Sequence, residues 1–222
     1  MPTNFEDTGN FGNWESLRKL HTGAVRDSAS LVSRVSPADL ARPTPCSAWT
    51  LTELLVHMTA QHRGFAAAVN GHGQDPANWS HHPLGEDFAA DYRHASDEAI
   101  AAFAAVDRPD RACVLPEVTE ARTFPAVQVL GFHLIDYVVH GWDVARTLDL
   151  PFDPDPDVLR AALPIAGAVP QGDHRLAPGS AFRPALATDG DASTLDRILT
   201  TLGRSPSWHA TPPARGEVPR DR

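Results

Sequence analysis

The sequence predicts an all-α protein, an antiparallel four-helix bundle over residues 13–150 with a short C-terminal extension over 151–208 packed on it. Three observations carry this expectation. Four long segments repeat apolar residues at helical spacing. Pro- and Gly-bearing breaks separate them and let the chain reverse. The chain has 222 residues and 42% hydrophobic content, which suits one domain that needs no disulfide staples.

Residues 1–12 are polar and Gly-bearing, and are read as a flexible tail. From Trp14 the pattern turns helical through Leu17, Leu20, Val25, Leu31 and Val32, ending near Ser36-Pro37. Pro43 and Pro45 then exclude helix. Thr50 suits the cap of a second helix, with Glu53 at capping-box spacing. That helix passes Leu54, Leu55, Met58, Phe65 and Val69 and breaks at Asn70-Gly71. Residues 71–85 read as a loop, and 86–106 as an Ala-rich third helix that ends before Pro109. Within 108–124, Val114, Leu115 and Val118 give a weak strand or hairpin signal. A fourth helix starts after Pro125, which suits a first-turn position, and runs from Ala126 to about Leu148. It is apolar around much of its circumference, as expected at a bundle centre. Pro151, Pro154 and Pro156 end it. Residues 156–169 suit a fifth helix, 170–193 a loop, and 193–203 a terminal helix capped by Ser193; 209–222 reads as a disordered tail.

Composition narrows the function. The net charge of -9 argues against a nucleic-acid or anionic-membrane surface. No apolar run reaches the roughly 18 residues of a membrane span. The N-terminus has no signal-peptide pattern, so a cytoplasmic location is expected. Cys46 and Cys113 form no CxxC and read as reduced thiols. HExxH, Walker A, GxGxxG and GxSxG are absent, which leaves the usual hydrolase, kinase and dinucleotide readings without support.

The chemistry concentrates in the fourth helix. At about 100° per residue, His133, Asp136 and His140 fall within roughly 60° of one face. Asp136 and His140 are four apart and can converge on one point. A carboxylate with imidazoles is a normal ligand set for zinc and its first-row neighbours. The third ligand must come from another helix, and His57, set among Leu54, Leu55 and Met58, is the best candidate. His62 lies about 140° around from His57 and is expected to point elsewhere. His133 is open as a fourth ligand, a proton carrier or a polar wall. Asp143 and Arg146 either orient His140 or tie the helix end. Gln61, one turn beyond His57, is placed to bond substrate or bound water, the alternative being an ordinary polar helix residue. His81-His82 reads as solvent-exposed.

These residues resemble a known group. Thr44-Pro45-Cys46-Ser47-Ala48-Trp49-Thr50 with Leu54-Leu55-Val56-His57-Met58 looks like the N-terminal pattern of the DinB-like superfamily. The branch is the mycothiol-dependent maleylpyruvate isomerase-like, actinobacterial metal-binding one. His140-Gly141-Trp142-Asp143-Val144-Ala145-Arg146 is similar to its second signature, and Gly203-Arg204-Ser205-Pro206-Ser207-Trp208 to its ending. The resemblance covers about residues 14–208. It implies a DinB-like four-helix bundle, mostly up-down-down-up, holding a metal through His57, Asp136 and His140. The family isomerase carries Glu where this chain has Asp136, and its larger C-terminal substrate-handling domain is not evident here.

Three functions follow as expectations. The first is a divalent-metal enzyme, zinc before nickel, iron or manganese, that uses mycothiol to isomerise or transfer to a small electrophilic substrate. In it Arg63, Arg93 or Arg146 offers a carboxylate contact. The second is a thiol-independent metalloenzyme, a lyase, hydrolase or cyclase. The third is a metal-binding stress or ligand-binding protein without turnover. A homodimer is implied by fold analogy alone.

Overall fold

The computed structural model describes residues 13–46, 49–177, 180 and 182–210. The tail expected at 1–12 and residues 211–222 of the tail expected at 209–222 lie outside the described residues. Six α-helices and one small hairpin are present among those described: α1 (Trp14–Val32), α2 (Leu51–Val69), α3 (Phe88–Ala104), β1 (Ala112–Leu115), β2 (Thr119–Pro125), α4 (Ala126–Thr147), α5 (Pro156–Ala168) and α6 (Thr194–Thr201). The fold is mainly α and DinB-like, with the bundle formed by α1 to α4.

Local chemistry sets most boundaries. Asn13 caps α1 by accepting from the Glu15 amide. Thr50 and Glu53 form the expected capping box on α2, satisfying two otherwise orphaned amides. Asp87, Asp155 and Ser193 cap α3, α5 and α6 through their side-chain oxygens. Pro125 differs from its expected place. It is the N-cap of α4 and also the last residue of β2, so one residue ends the strand and starts the helix.

Helix α1 packs against α4 and α3, and α2 packs against α3 and α4, so the ring order is α1, α4, α2, α3. The α3-to-α4 crossover carries the antiparallel hairpin, which leans on α2 and α4. The weak strand signal at Val114 and Leu115 is thus a real hairpin in an otherwise helical protein, and Val118 falls in its turn. Helix α5 packs on α4 and α1, and α6 packs on α5. No helix among the described residues is long and apolar enough to cross a membrane.

The core divides into two apolar clusters. One gathers residues such as Phe65, Phe103, Leu130 and Leu134; the other gathers Leu54, Leu55, Met58, Tyr92 and Tyr137. A polar layer lies at the seam, with one residue from each bundle helix: His21, His62, Ser96 and His133, all buried. His21 Nε2 is 2.8 Å from His133 Nδ1, His133 Nε2 is 3.3 Å from His62 Nδ1, and His62 Nε2 is 2.9 Å from Ser96 Oγ. The Ser96 hydroxyl donates to the Tyr92 carbonyl. Ser96 must therefore accept from His62, His62 from His133, and His133 from His21. One backbone carbonyl orders the protons along the whole row.

Candidate metal centre

His57 stands at the middle of α2, and Asp136 and His140 stand four apart on α4, where these two helices pack together. One donor atom from each residue comes within 4.8 Å of the others. His140 Nε2 lies 3.4 Å from Asp136 Oδ1. The His57 and His140 ring centroids are 5.3 Å apart, and Trp49 packs on His57 at 4.7 Å.

Two observations test whether a cation fits this set. Oδ2 of Asp136 is buried and has no hydrogen-bond partner among the described residues. An orphaned buried carboxylate oxygen is costly unless something positive satisfies it. Burial raises the Asp136 pKa, outweighing the pull of His140 and Arg204. Burial, reinforced by His140, His81 and Arg204, holds the His57 pKa well below the usual range, so its imidazole stays neutral and able to ligate. Donors about 2 Å from one ion stand up to about 4 Å apart, so closing the set needs only small rotamer shifts. The residues present therefore fit a divalent cation.

His140 is held from behind. Its Nδ1 lies 2.9 Å from Oδ2 of Asp143, and Arg204 donates to the same oxygen at 3.3 Å. Burial would raise the Asp143 pKa, but Arg204 and the His140 hydrogen bond together bring it below the usual value. Of the two roles open to Asp143, orienting His140 is the one its geometry displays. Arg146 instead donates to the Pro206 carbonyl, tying the C-terminal segment to α4. Arg204 also donates to Cys46 Sγ at 3.3 Å. Burial nevertheless pushes the Cys46 thiol up to about 11, so this cysteine stays protonated at neutral pH.

A cavity of about 270 Å³ opens beside the trio, with His57 and Asp136 in its wall. Its apolar side comes from Phe65, Trp79, Leu115, Phe132, Ile135 and Phe182. Its other polar residues are Gln61, Glu117 and Gln128. Gln61 lies on the cavity as its spacing from His57 suggests, and donates to Glu117. Helix α5 and the segment after it close one side through Ile165, Val169 and Pro170.

His133 is not brought to the trio. It shares the azimuth of Asp136 and His140, but seven residues separate it from His140, about 10 Å along the axis. It joins the buried row with His21 and His62 instead, and Phe65 packs edge-on between its ring and the cavity side. His62 points away from His57, as its helical angle requires, and stacks on Tyr137. His81 is exposed yet lies edge-on to His57 at 5.8 Å, a contact that loop composition does not reveal. Sequence reasoning also missed Glu117, Gln128 and the role of Arg204. Gln128 had a signal, being the only polar residue in the apolar run Ala126–Phe132. Glu117 had none, since its place depends on how the hairpin folds back.

The comparisons with known proteins follow the same lines. A family model described as "Mycothiol maleylpyruvate isomerase N-terminal domain" matches residues 21–145, more than half of the chain and all three converging residues. Two uncharacterized proteins of Mycobacterium tuberculosis, from two strains, are each 26% identical over 190 residues, covering 83% of this chain and 96% of the relative. No solved structure matches the chain. On the span and the residues matched, the chain belongs to the mycothiol maleylpyruvate isomerase N-terminal domain family.

Proposed function

We propose that this protein is a divalent-metal-dependent enzyme that uses a small-molecule thiol, mycothiol by family, to isomerise or transfer to an electrophilic small molecule. The observation that carries the reading is the convergence of His57, Asp136 and His140 within 4.8 Å beside a cavity, with a buried Asp136 oxygen left unpartnered among the described residues. His57, Asp136 and His140 hold the ion, zinc being the first choice for two imidazoles and a carboxylate, with nickel, iron or manganese also suited. Bound there, it supplies Lewis acidity that favours the thiolate form of a nearby thiol.

The chain's own residues do the rest. Asp143 takes the Nδ1 proton side of His140 and turns the Nε2 lone pair toward Asp136. Phe65, Trp79, Phe132 and Ile135 keep water from the reacting carbon. Gln61 and Gln128 offer hydrogen bonds that orient the substrate. The sulfur adds to an electrophilic carbon and the thiol's proton passes to the neighbouring carbon. In transfer the adduct leaves. In isomerisation, rotation about the bond made single, then loss of that proton and the sulfur, returns the thiol.

The cavity's modest volume admits a small substrate and only the thiol-bearing end of a larger cofactor. That limit is the one observation favouring a metalloenzyme that uses no thiol. The test is thermal stabilisation and turnover of the metal-loaded protein with mycothiol, with cysteine and with glutathione, against a panel of electrophiles. The proposal expects stabilisation and turnover with mycothiol above both other thiols. Turnover that persists without any thiol contradicts it, and so does an equal response to all three.

A further inference from the structure

The cavity beside the trio has a charge pattern opposite to the one a dicarboxylate needs. Among the described residues that line it there is no lysine and no arginine, and its two acidic residues are Glu117 and Asp136. Arg146, one of the arginines that the sequence offers for a carboxylate, is spent on the Pro206 carbonyl. Arg204 is buried behind His140 with Asp143 and Cys46. Neither arginine lines the cavity.

The polar groups that do line it favour a donor. Gln61 gives an N–H to Glu117, which leaves the Gln61 carbonyl and the other Glu117 oxygen as acceptors. Gln128 is 6% exposed, lines the cavity and has no hydrogen-bond partner among the described residues. Neither amide atom of Gln128 is fully buried, so both open on the cavity and can give and take a hydrogen bond with a ligand there. The surrounding wall of Phe65, Trp79, Phe132 and Phe182 suits a flat apolar body.

We propose that this cavity takes a small molecule with an apolar body and an uncharged, N–H-bearing polar head, such as an amide, and discriminates against carboxylates. One carboxylate of a dianion could be met beside Asp136 and the histidines. The second would lie against aromatic walls and Glu117 with no cation to pair it. As a statement about the substrate this rests on the function proposed above; as a statement about binding it stands apart from the metal.

The experiment measures dissociation constants of phenylacetamide, phenylacetate and maleate by calorimetry. It uses the full chain loaded with zinc and the same protein after chelation, and repeats both with Glu117→Lys. Phenylacetamide is expected to bind at least tenfold more tightly than either anion in the chelated wild-type protein. Glu117→Lys is expected to narrow that preference by threefold or more. Tighter binding of either anion after chelation, equal binding of all three, or binding of none overturns the proposal. An unchanged preference in Glu117→Lys does so too. Metal content is measured on the same samples. Loss of zinc binding with the amide preference intact counts against the metal reading alone, and the converse counts against this inference alone.

Discussion

His140 turns its Nδ1 to Oδ2 of Asp143, 2.9 Å away, and this contact fixes which ring nitrogen faces Asp136. A carboxylate with a lowered pKa only accepts, so His140 donates through Nδ1 and Nε2 is the nitrogen left facing the site. Arg204, three residues past α6, completes the arrangement, so the C-terminal extension reaches the back of the candidate metal centre.

Replacing Asp143 tests that arrangement. Asp143→Asn keeps the shape but can present an N–H to His140 and removes the charge opposite Arg204. Metal affinity is expected to fall about 10–100-fold, the usual effect of losing a partner behind a ligand. Stability is expected to fall by about 3 kcal/mol, because Arg204 would stay buried without its counter-charge. Competition titration against a metallochromic chelator and urea unfolding measure the two effects separately.

Asp136 behaves oppositely in the metal-free protein. Its carboxylate pKa is raised by burial. A group of this kind contributes stability below its unfolded pKa and loses it as pH rises through the folded one. In the metal-free protein the buried, partly unsatisfied carboxyl is therefore a growing cost as pH rises. Asp136→Asn is expected to raise the melting temperature of chelator-treated protein while abolishing tight metal binding. A lower melting temperature without metal would contradict this account of the orphaned oxygen.

The histidine row predicts acid lability. Burial pushes His21 down to about 3 and holds His62 and His133 well below the usual range, His133 being opposed also by His21 and His62, and His62 by His21 and Arg63. For such groups the contribution is complete above the unfolded pKa, about 6.5, and is lost as pH falls toward the folded value. Each neutral histidine adds up to about 1.4 kcal/mol of slope per pH unit in that window. Urea midpoints of chelator-treated protein should fall from pH 7 to pH 5. His21→Gln, which keeps an N–H for His133 but does not titrate, should fall less steeply.

Gly64 tests the cavity wall. A Cβ there would stand 2.2 Å from the Trp79 ring, which itself donates to the Gly73 carbonyl. Gly64→Ala must displace Trp79 from the cavity. It is expected to cost about 1–3 kcal/mol, as overpacking does. Indole fluorescence and urea unfolding together report the shift and its cost.

The helices were legible because their signals are local. The Thr50 and Glu53 capping box, the Ser193 cap and the apolar circumference of α4 each follow from a few neighbouring residues. The convergence of Asp136 and His140 was legible for the same reason, four-residue spacing on one helix. The buried histidine row was not, since His21, His62, Ser96 and His133 meet only through the ring order of four helices. His133 shows the limit of azimuth: it shares a face with His140 yet lies two turns away. Arg204 and Glu117 reach the site from the extension and the hairpin, whose docking no periodicity encodes.

The central claim, that His57, Asp136 and His140 hold one divalent cation, is tested most directly by elemental analysis of purified protein beside His57→Ala. The account predicts close to one equivalent of metal per chain in the wild type and its loss in a variant that still unfolds cooperatively. Equal metal content in both proteins, or none in a wild type offered zinc, nickel, iron and manganese, would contradict it.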